Sequence, residues 1–289
     1  MRYTSAAMSL RLAAVQPHSH TGADERRNVD DALRWLERAR AAGADLVLFP
    51  EGYPGPTNPR NDYDALSPLA AKAAELRLHV VAGGIEPADG GGHHVVLHLI
   101  DDRGGVAEPY RRTTPRGPYV YRDIDAWGFD YVAADDEPAV FASRLGRIGL
   151  LVCSEIFVPE LARGLALAGA DVILCPAGGA INELLPAWRT IVWARAIENL
   201  VHVATVQNLY DARDEGVGMI AAPEGVLAQS TTETLLVADL DSERLAFLRS
   251  RDERIEFPKP YATIPGLSRW RRPAMYRGLA EPATPIGAS

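Results

Sequence analysis

The chain reads as an α/β protein built from two sheets packed together with helices outside. Short apolar strand candidates alternate with amphipathic helix candidates along most of its 289 residues. Some strand candidates also come in adjacent pairs, which suggests two packed sheets. The runs Leu46-Val47-Leu48-Phe49 and Val172-Ile173-Leu174 are short and wholly apolar, as strands buried on both faces are.

The first strand is Leu10-Arg11-Leu12-Ala13-Ala14-Val15, and residues 1–8 form a ragged start. Val29, Ala32, Leu33 and Leu36 recur at i, i+3, i+4 and i+7, so a helix follows, stopped by Gly43. The strand at 46–49 ends on Pro50-Glu51. Residues 68–78 suit a helix and 79–85 a strand, and Gly90-Gly91-Gly92 turns the chain into an alternating run at 94–100. Residues 108–137, rich in Pro, Arg, Asp and aromatics, read as an ordered loop region. An apolar run then reaches Cys153, and Pro159 opens a helix that runs through Leu161 and Leu165 to Gly169. A strand at 171–175, a helix at 185–200 and strands at 201–207, 217–222 and 235–240 complete the regular part. No internal repeat or domain boundary stands out. One domain is expected over 1–289, with its core at about 10–245 and an extended, Pro-rich tail at about 257–289.

A net charge of −8 argues against phosphate-backbone binding as the main business. Two cysteines in a chain this long make no disulfide framework, which fits a reducing cytoplasm. The start lacks the apolar core of a secretory signal, and no stretch approaches the ~18 apolar residues that span a bilayer. The expectation is a cytoplasmic protein with a small-molecule substrate, no nucleic-acid or membrane partner and no cofactor. His79, His93, His94 and His98 tempt a metal reading, but no carboxylate cluster accompanies them, so none is expected.

Three polar positions follow strand ends or enter loops: Glu51, Arg112 and Cys153. A cysteine at a strand-to-helix corner is either a buried core thiol or a mounted nucleophile, for which unpaired N–H groups and a cation favour the thiolate. Cys175, inside an apolar strand, is expected in the core near the pocket floor. Glu155 either pairs with Arg112, touches substrate or makes a structural ion pair. Tyr119, Tyr121, Trp127, Phe129 and Tyr131 either line a pocket, with Tyr119 and Trp127 as substrate contacts, or anchor the loop.

Taken in order, several motifs resemble the nitrilase superfamily, the carbon–nitrogen hydrolases with a Glu–Lys–Cys triad. They are Ala13-Ala14-Val15-Gln16, Phe49-Pro50-Glu51, Tyr110-Arg111, Gly146-Arg147-Ile148-Gly149 leading to Cys153, Pro159-Glu160-Leu161-Ala162-Arg163, Ala194-Arg195-Ala196-Ile197-Glu198-Asn199 and Pro223-Glu224-Gly225. The likeness spans about residues 10 to 245. It implies a four-layer α-β-β-α sandwich, dimerised through its helices, with the triad at strand ends.

By the same resemblance Cys153 attacks an amide or nitrile carbon, Glu51 is the general base and then the acid, and the Ser154 N–H helps hold the oxyanion. Family members carry lysine after Tyr-Arg, whereas this chain reads Tyr110-Arg111-Arg112, and its only lysines are Lys72 and Lys259. Arg112 is therefore the candidate third member. It either stabilises the oxyanion or clamps Glu51 and weakens the base. A second family glutamate has no counterpart in 123–131, where Asp125 or Asp130 could stand in, or both could be solvated. Arg195, Glu198 and Asn199 match a motif assigned to structural hydrogen bonding behind the site. The expected activity is hydrolysis of a small non-peptide amide, nitrile or carbamoyl group through a Cys153 acyl-enzyme. Acyl transfer from the same thioester and a catalytically silent binding protein are the alternatives.

Overall fold

The computed structural model describes residues 10–114, 130–135, 140–179, 182–250 and 272–280. In chain order its elements are β1 (Leu10–Gln16), α1 (Arg27–Ala41), β2 (Leu46–Leu48), α2 (Leu66–Leu76), β3 (His79–Pro87), β4 (His93–Ile100), β5 (Tyr110–Arg111), β6 (Val140–Ser143), β7 (Gly146–Leu150), α3 (Pro159–Leu167), β8 (Val172–Leu174), α4 (Leu185–Asn199), β9 (His202–Thr205), β10 (Gly218–Ala222), β11 (Gly225–Ser230), β12 (Thr234–Leu240) and α5 (Ser242–Arg249). One sheet runs β12-β1-β2-β3-β4-β5 and the other β11-β10-β9-β8-β7-β6. In each, the three strands joined by helical crossovers are parallel and the remaining pairs are antiparallel.

Strand alternation sends side chains to three separate cores, which makes four layers. Leu12, Ala14, Leu48 and Val81 of the first sheet meet Ile148, Leu150, Leu174 and Ala204 of the second. On the outer face of the first sheet, Ala13, Val15 and Val47 pack on Trp35 and Leu36 of α1 and Leu69 of α2. On the outer face of the second, Ile173 and Val203 pack on Leu165 of α3 and on Trp188 and Val192 of α4. The α-β-β-α sandwich implied by the motifs is the architecture observed.

Reading β6 to β11 against β12 followed by β1 to β5 gives the same succession of pairings: antiparallel, parallel, parallel, antiparallel, antiparallel. The correspondence reaches single residues. Gly43 and Gly169 both carry a left-handed φ, of 77° and 93°, where α1 and α3 give way to β2 and β8. Arg11 N–H donates to Asp45 Oδ2 and Arg147 N–H to Asp171 Oδ2, each at 3.0 Å. The carbonyls of Asp45 and Asp171 accept from His79 and His202. The sequence carries the trace as Ala42-Gly43-Ala44-Asp45-Leu46-Val47-Leu48-Phe49-Pro50 and Ala168-Gly169-Ala170-Asp171-Val172-Ile173-Leu174-Cys175-Pro176. The expectation of no internal repeat is thus corrected. Only a short stretch, held by a cap, a strand-tying carboxylate and two-sided burial, stays alike.

Four elements escape the sequence reading. β5, β6 and β11 are short edge strands, and α5 follows β12 with its N-cap Asp241 accepting from Arg244 N–H. Within the tail, Pro273–Ala280 forms 3₁₀ turns instead of extended chain.

Candidate active site

Glu51, Arg112 and Cys153 come from different strand ends and converge. Glu51 leaves β2 two residues after Phe49. Its N–H donates to the Ala177 carbonyl (3.2 Å), and its own carbonyl accepts from Asn208 Nδ2 (2.8 Å). The loop can take this path because β3 offers Gly83 beneath it: a Cβ at Gly83 would lie 2.2 Å from the Gly52 nitrogen and 2.9 Å from the Pro50 oxygen. Asn208 is held in turn by Ser19, whose hydroxyl donates to Asn208 Oδ1 (2.7 Å).

Cys153 follows β7 in a left-handed conformation, φ 53°, which costs a non-glycine residue about 1–2 kcal/mol. The turn is over-determined. Cys153 N–H donates to the Pro176 carbonyl (2.8 Å), and Val152 N–H to Glu155 Oε2 (2.7 Å). Behind the turn, Arg195 Nε donates to the Ile156 carbonyl (2.9 Å) and Nη1 to Glu198 (2.8 Å). The Cys153 thiol lies within hydrogen-bonding reach of the Glu51 carboxylate and the Gly178 N–H. Burial first, then the Glu51 charge, pushes the thiol up to about 12, and Arg112 and the Gly178 N–H pull the other way. These influences favour the thiol over the thiolate at Cys153, and attack from a thiol would need a base.

Arg112 is only 1 % exposed. Each guanidinium nitrogen has its own acceptor: Nη1 donates to Glu51 Oε1 (3.0 Å), Nη2 to Ser154 Oγ (2.5 Å) and Nε to Thr114 Oγ1 (3.0 Å). The Tyr131 ring lies beneath it, 5.8 Å from the guanidinium carbon, and the Tyr131 hydroxyl donates to the Thr114 carbonyl (2.7 Å). Tyr131 therefore ties the loop down.

Glu155, expected among the substrate contacts, is sealed from solvent instead, at 0 % exposure. Oε2 accepts from Val152 N–H and the Tyr110 hydroxyl, each at 2.7 Å. Oε1 accepts from Thr113 N–H (2.7 Å), the Thr113 hydroxyl (2.8 Å) and Thr114 N–H (3.2 Å). Its carboxylate latches the Arg112 loop to the Cys153 turn. The Tyr110 phenol is pushed above its ordinary value, by burial first and then by Glu155.

Tyr119 and Trp127 lie outside the described residues, as do Tyr121, Asp125 and Phe129. Asp130 is exposed, and its carbonyl accepts from His93 N–H (2.8 Å). Cys175 is fully buried, its thiol 3.5 Å from the Cys153 carbonyl. No group of three or more His, Cys, Asp or Glu that could hold a metal ion occurs among the described residues. No helix among them is long and apolar enough to cross a membrane.

The sequence reading missed Asn208, Gly178 and Tyr210. Asn208 carries the signal that drew attention to Glu51 and Cys153, a polar residue just past a buried strand. Gly178 acts through its backbone and leaves no such signal. Tyr210 lies against Gly179, where a Cβ would come within 2.8 Å of the ring, with 42 % of its surface exposed.

A family model described as carbon–nitrogen hydrolase matches residues 11–250. A hydrolase of Mycobacterium tuberculosis is 31% identical over 269 residues, covering 84% of this chain and 93% of that protein. The omega-amidase NIT2 of Bos taurus is 28% identical over 262 residues, covering 84% and 92%. Among solved structures, the carbon–nitrogen hydrolase of Helicobacter pylori G27 superposes with a TM-score of 0.78 at 21% identity, covering 95% of this chain and 99% of that one. An amidase from Nesterenkonia sp. gives 0.71 at 23% identity, covering 96% and 99%. With the α-β-β-α fold and a family match across nearly all its regular structure, the chain belongs to the carbon–nitrogen hydrolases of the nitrilase superfamily, enzymes that act on C–N bonds.

Proposed function

We propose that this protein hydrolyses a small non-peptide amide through a Cys153 thioester, with Glu51 as the proton carrier and Arg112 as the oxyanion partner. The observation that carries the reading is the convergence of the Cys153 thiol, the Glu51 carboxylate and a buried guanidinium 3.0 Å from that carboxylate. Glu51 takes the thiol proton as sulfur attacks the carbonyl carbon. The carbonyl oxygen becomes an oxyanion that faces Arg112 and the Ser154 N–H. Collapse breaks the C–N bond, and Glu51 hands its proton to the leaving nitrogen. Water then attacks the thioester and gives one proton to Glu51; as the carboxylic acid departs, Glu51 passes that proton to the leaving sulfur and restores the thiol. Every step is neutral in protons.

Relatives named omega-amidase and deaminated glutathione amidase favour an amide over a nitrile as substrate. Arg112 pairs with Glu51 in the resting enzyme. Once Glu51 is protonated the pair dissolves, and the same cation is available to the oxyanion. Two free thiols suit a reducing cytoplasm, and a homodimer is the assembly we propose.

Intact-protein mass spectrometry of wild type and Cys153→Ala, after brief exposure to a panel of small amides, nitriles and carbamoyl compounds, tests the reading. An acyl adduct confined to wild type is expected. Turnover by Cys153→Ala at the wild-type rate would sink it.

A further inference from the structure

Arg112 presents a mechanical problem that the triad alone does not solve. Its contact with Glu51 is charge-assisted in the resting enzyme, and such bonds are roughly twice as strong as neutral ones. When Glu51 accepts the thiol proton that contact weakens, at the moment the guanidinium must face a new charge. A long side chain released from one of its partners is free to move, and Arg has about 2 kcal/mol of rotamer entropy to gain. An acceptor that does not titrate during the reaction is needed to keep it in place.

Ser154 Oγ meets that need. It accepts from Nη2 at 2.5 Å, while Nη1 goes to Glu51 and Nε to Thr114. Ser154 is also the residue next to the nucleophile. It belongs to the 3₁₀ turn Cys153–Phe157, which Glu155 and Arg195 hold from two sides. A guanidinium anchored there is positioned relative to Sγ by one peptide unit, whatever Glu51 does. Thr114 shares the load, but it lies two residues from Arg112 on the same loop and gives no reference to the nucleophile.

Building on the amidase reading, we propose that the Ser154 hydroxyl anchors Arg112 beside Cys153 through the charge change of Glu51. Ser154 is thus a positioning residue for the oxyanion, with its side chain acting separately from its backbone N–H. In this chain an arginine in place of lysine functions because the residue after the nucleophile is a small hydroxyl donor–acceptor.

The test compares wild type, Ser154→Ala and Ser154→Thr in two assays. With an amide that wild type turns over, Ser154→Ala is expected to lower kcat by about tenfold, the worth of one hydrogen bond to a charged group, with little change in KM. Ser154→Thr, which keeps the hydroxyl, restores most of kcat. The second assay needs no substrate. Alkylation of Cys153 by iodoacetamide at pH 8 slows by roughly threefold in Ser154→Ala, because a guanidinium that drifts away no longer favours the thiolate, and Ser154→Thr matches wild type. Equal kcat in all three proteins, a change in KM alone, or indifference of alkylation to Ser154 would each overturn the anchor. Absence of any Cys153 adduct in wild type defeats the amidase reading instead, and the alkylation comparison then decides the anchor on its own.

Discussion

At the scale of single residues, the site turns on which charge each group feels. Glu51 opposes thiolate formation at Cys153, whereas the proposed mechanism has it remove the thiol proton, and these two effects separate in a variant. Glu51→Gln takes away a charge that raises the thiol, so the thiol falls from about 12 toward its ordinary value. Each unit of fall gives ten times more thiolate but a weaker nucleophile, so iodoacetamide alkylation at pH 8 is expected to rise roughly threefold per unit. Amide turnover should collapse in the same protein. Slower alkylation in Glu51→Gln would show that Glu51 favours the resting thiolate. Glu51 and Cys153 were legible in the sequence because each is a chemistry-bearing residue just past an apolar strand. Glu155 was not legible in its role: a glutamate two residues from a nucleophile looks the same whether it faces substrate or accepts five hydrogen bonds behind the turn.

Among elements, close backbone packing positions Glu51. β3 carries Gly83 under the loop that delivers Glu51, and Gly83 N–H donates to the Tyr53 carbonyl (2.8 Å). Gly83→Ala would drive its Cβ into the Gly52 backbone, and backbone, unlike a flexible side chain, yields only by moving the loop. The expected result is about 1–3 kcal/mol of lost stability by denaturant titration, together with a larger proportional loss of kcat than of melting temperature. A variant with wild-type kcat would show that the loop position is not set at Gly83. Long amphipathic helices and apolar strands could be read from periodicity, since α1 repeats its apolar residues at helical spacing and β2 and β8 are buried on both faces. β5, β6 and β11 escaped it, because each is a short edge strand beside loop, with too few residues to show a period.

Across the whole molecule, two buried histidines stand at matching places in the two sheets. His202, 5 % exposed, is lowered to about 4 by burial first, against its hydrogen bond to the Asp171 backbone and the pull of Asp171 and Asp241, and with Arg249 adding to the fall. His79 is lowered for the same leading reason. A folded value below the unfolded one means that the unfolded chain binds the extra proton. Stability is then whole above pH 6.5 and is lost as pH falls from 6.5 toward about 4, by about 3 kcal/mol for His202 at ~1.4 kcal/mol per unit. Urea unfolding across that window should show the slope, and His202→Gln should flatten it. An unchanged slope in His202→Gln would assign the pH dependence elsewhere.

The matching of the two sheets also says how the chain is threaded. The second sheet is built from consecutive strands, beginning with the β6–β7 hairpin, whose register runs from Val140 opposite Gly149 to Ser143 opposite Gly146. Its counterpart in the first sheet is the pair β12–β1, where Leu240 stands opposite Leu10. There the two strands lie at opposite ends of the polypeptide. In topological terms the protein is a tandem of two like units whose opening has been moved into the leading hairpin of the first, a circularly permuted order. Among the described residues, the last strand therefore completes the sheet that the first strand begins. The unit carrying Glu51 is finished only after the unit carrying Cys153 has been made.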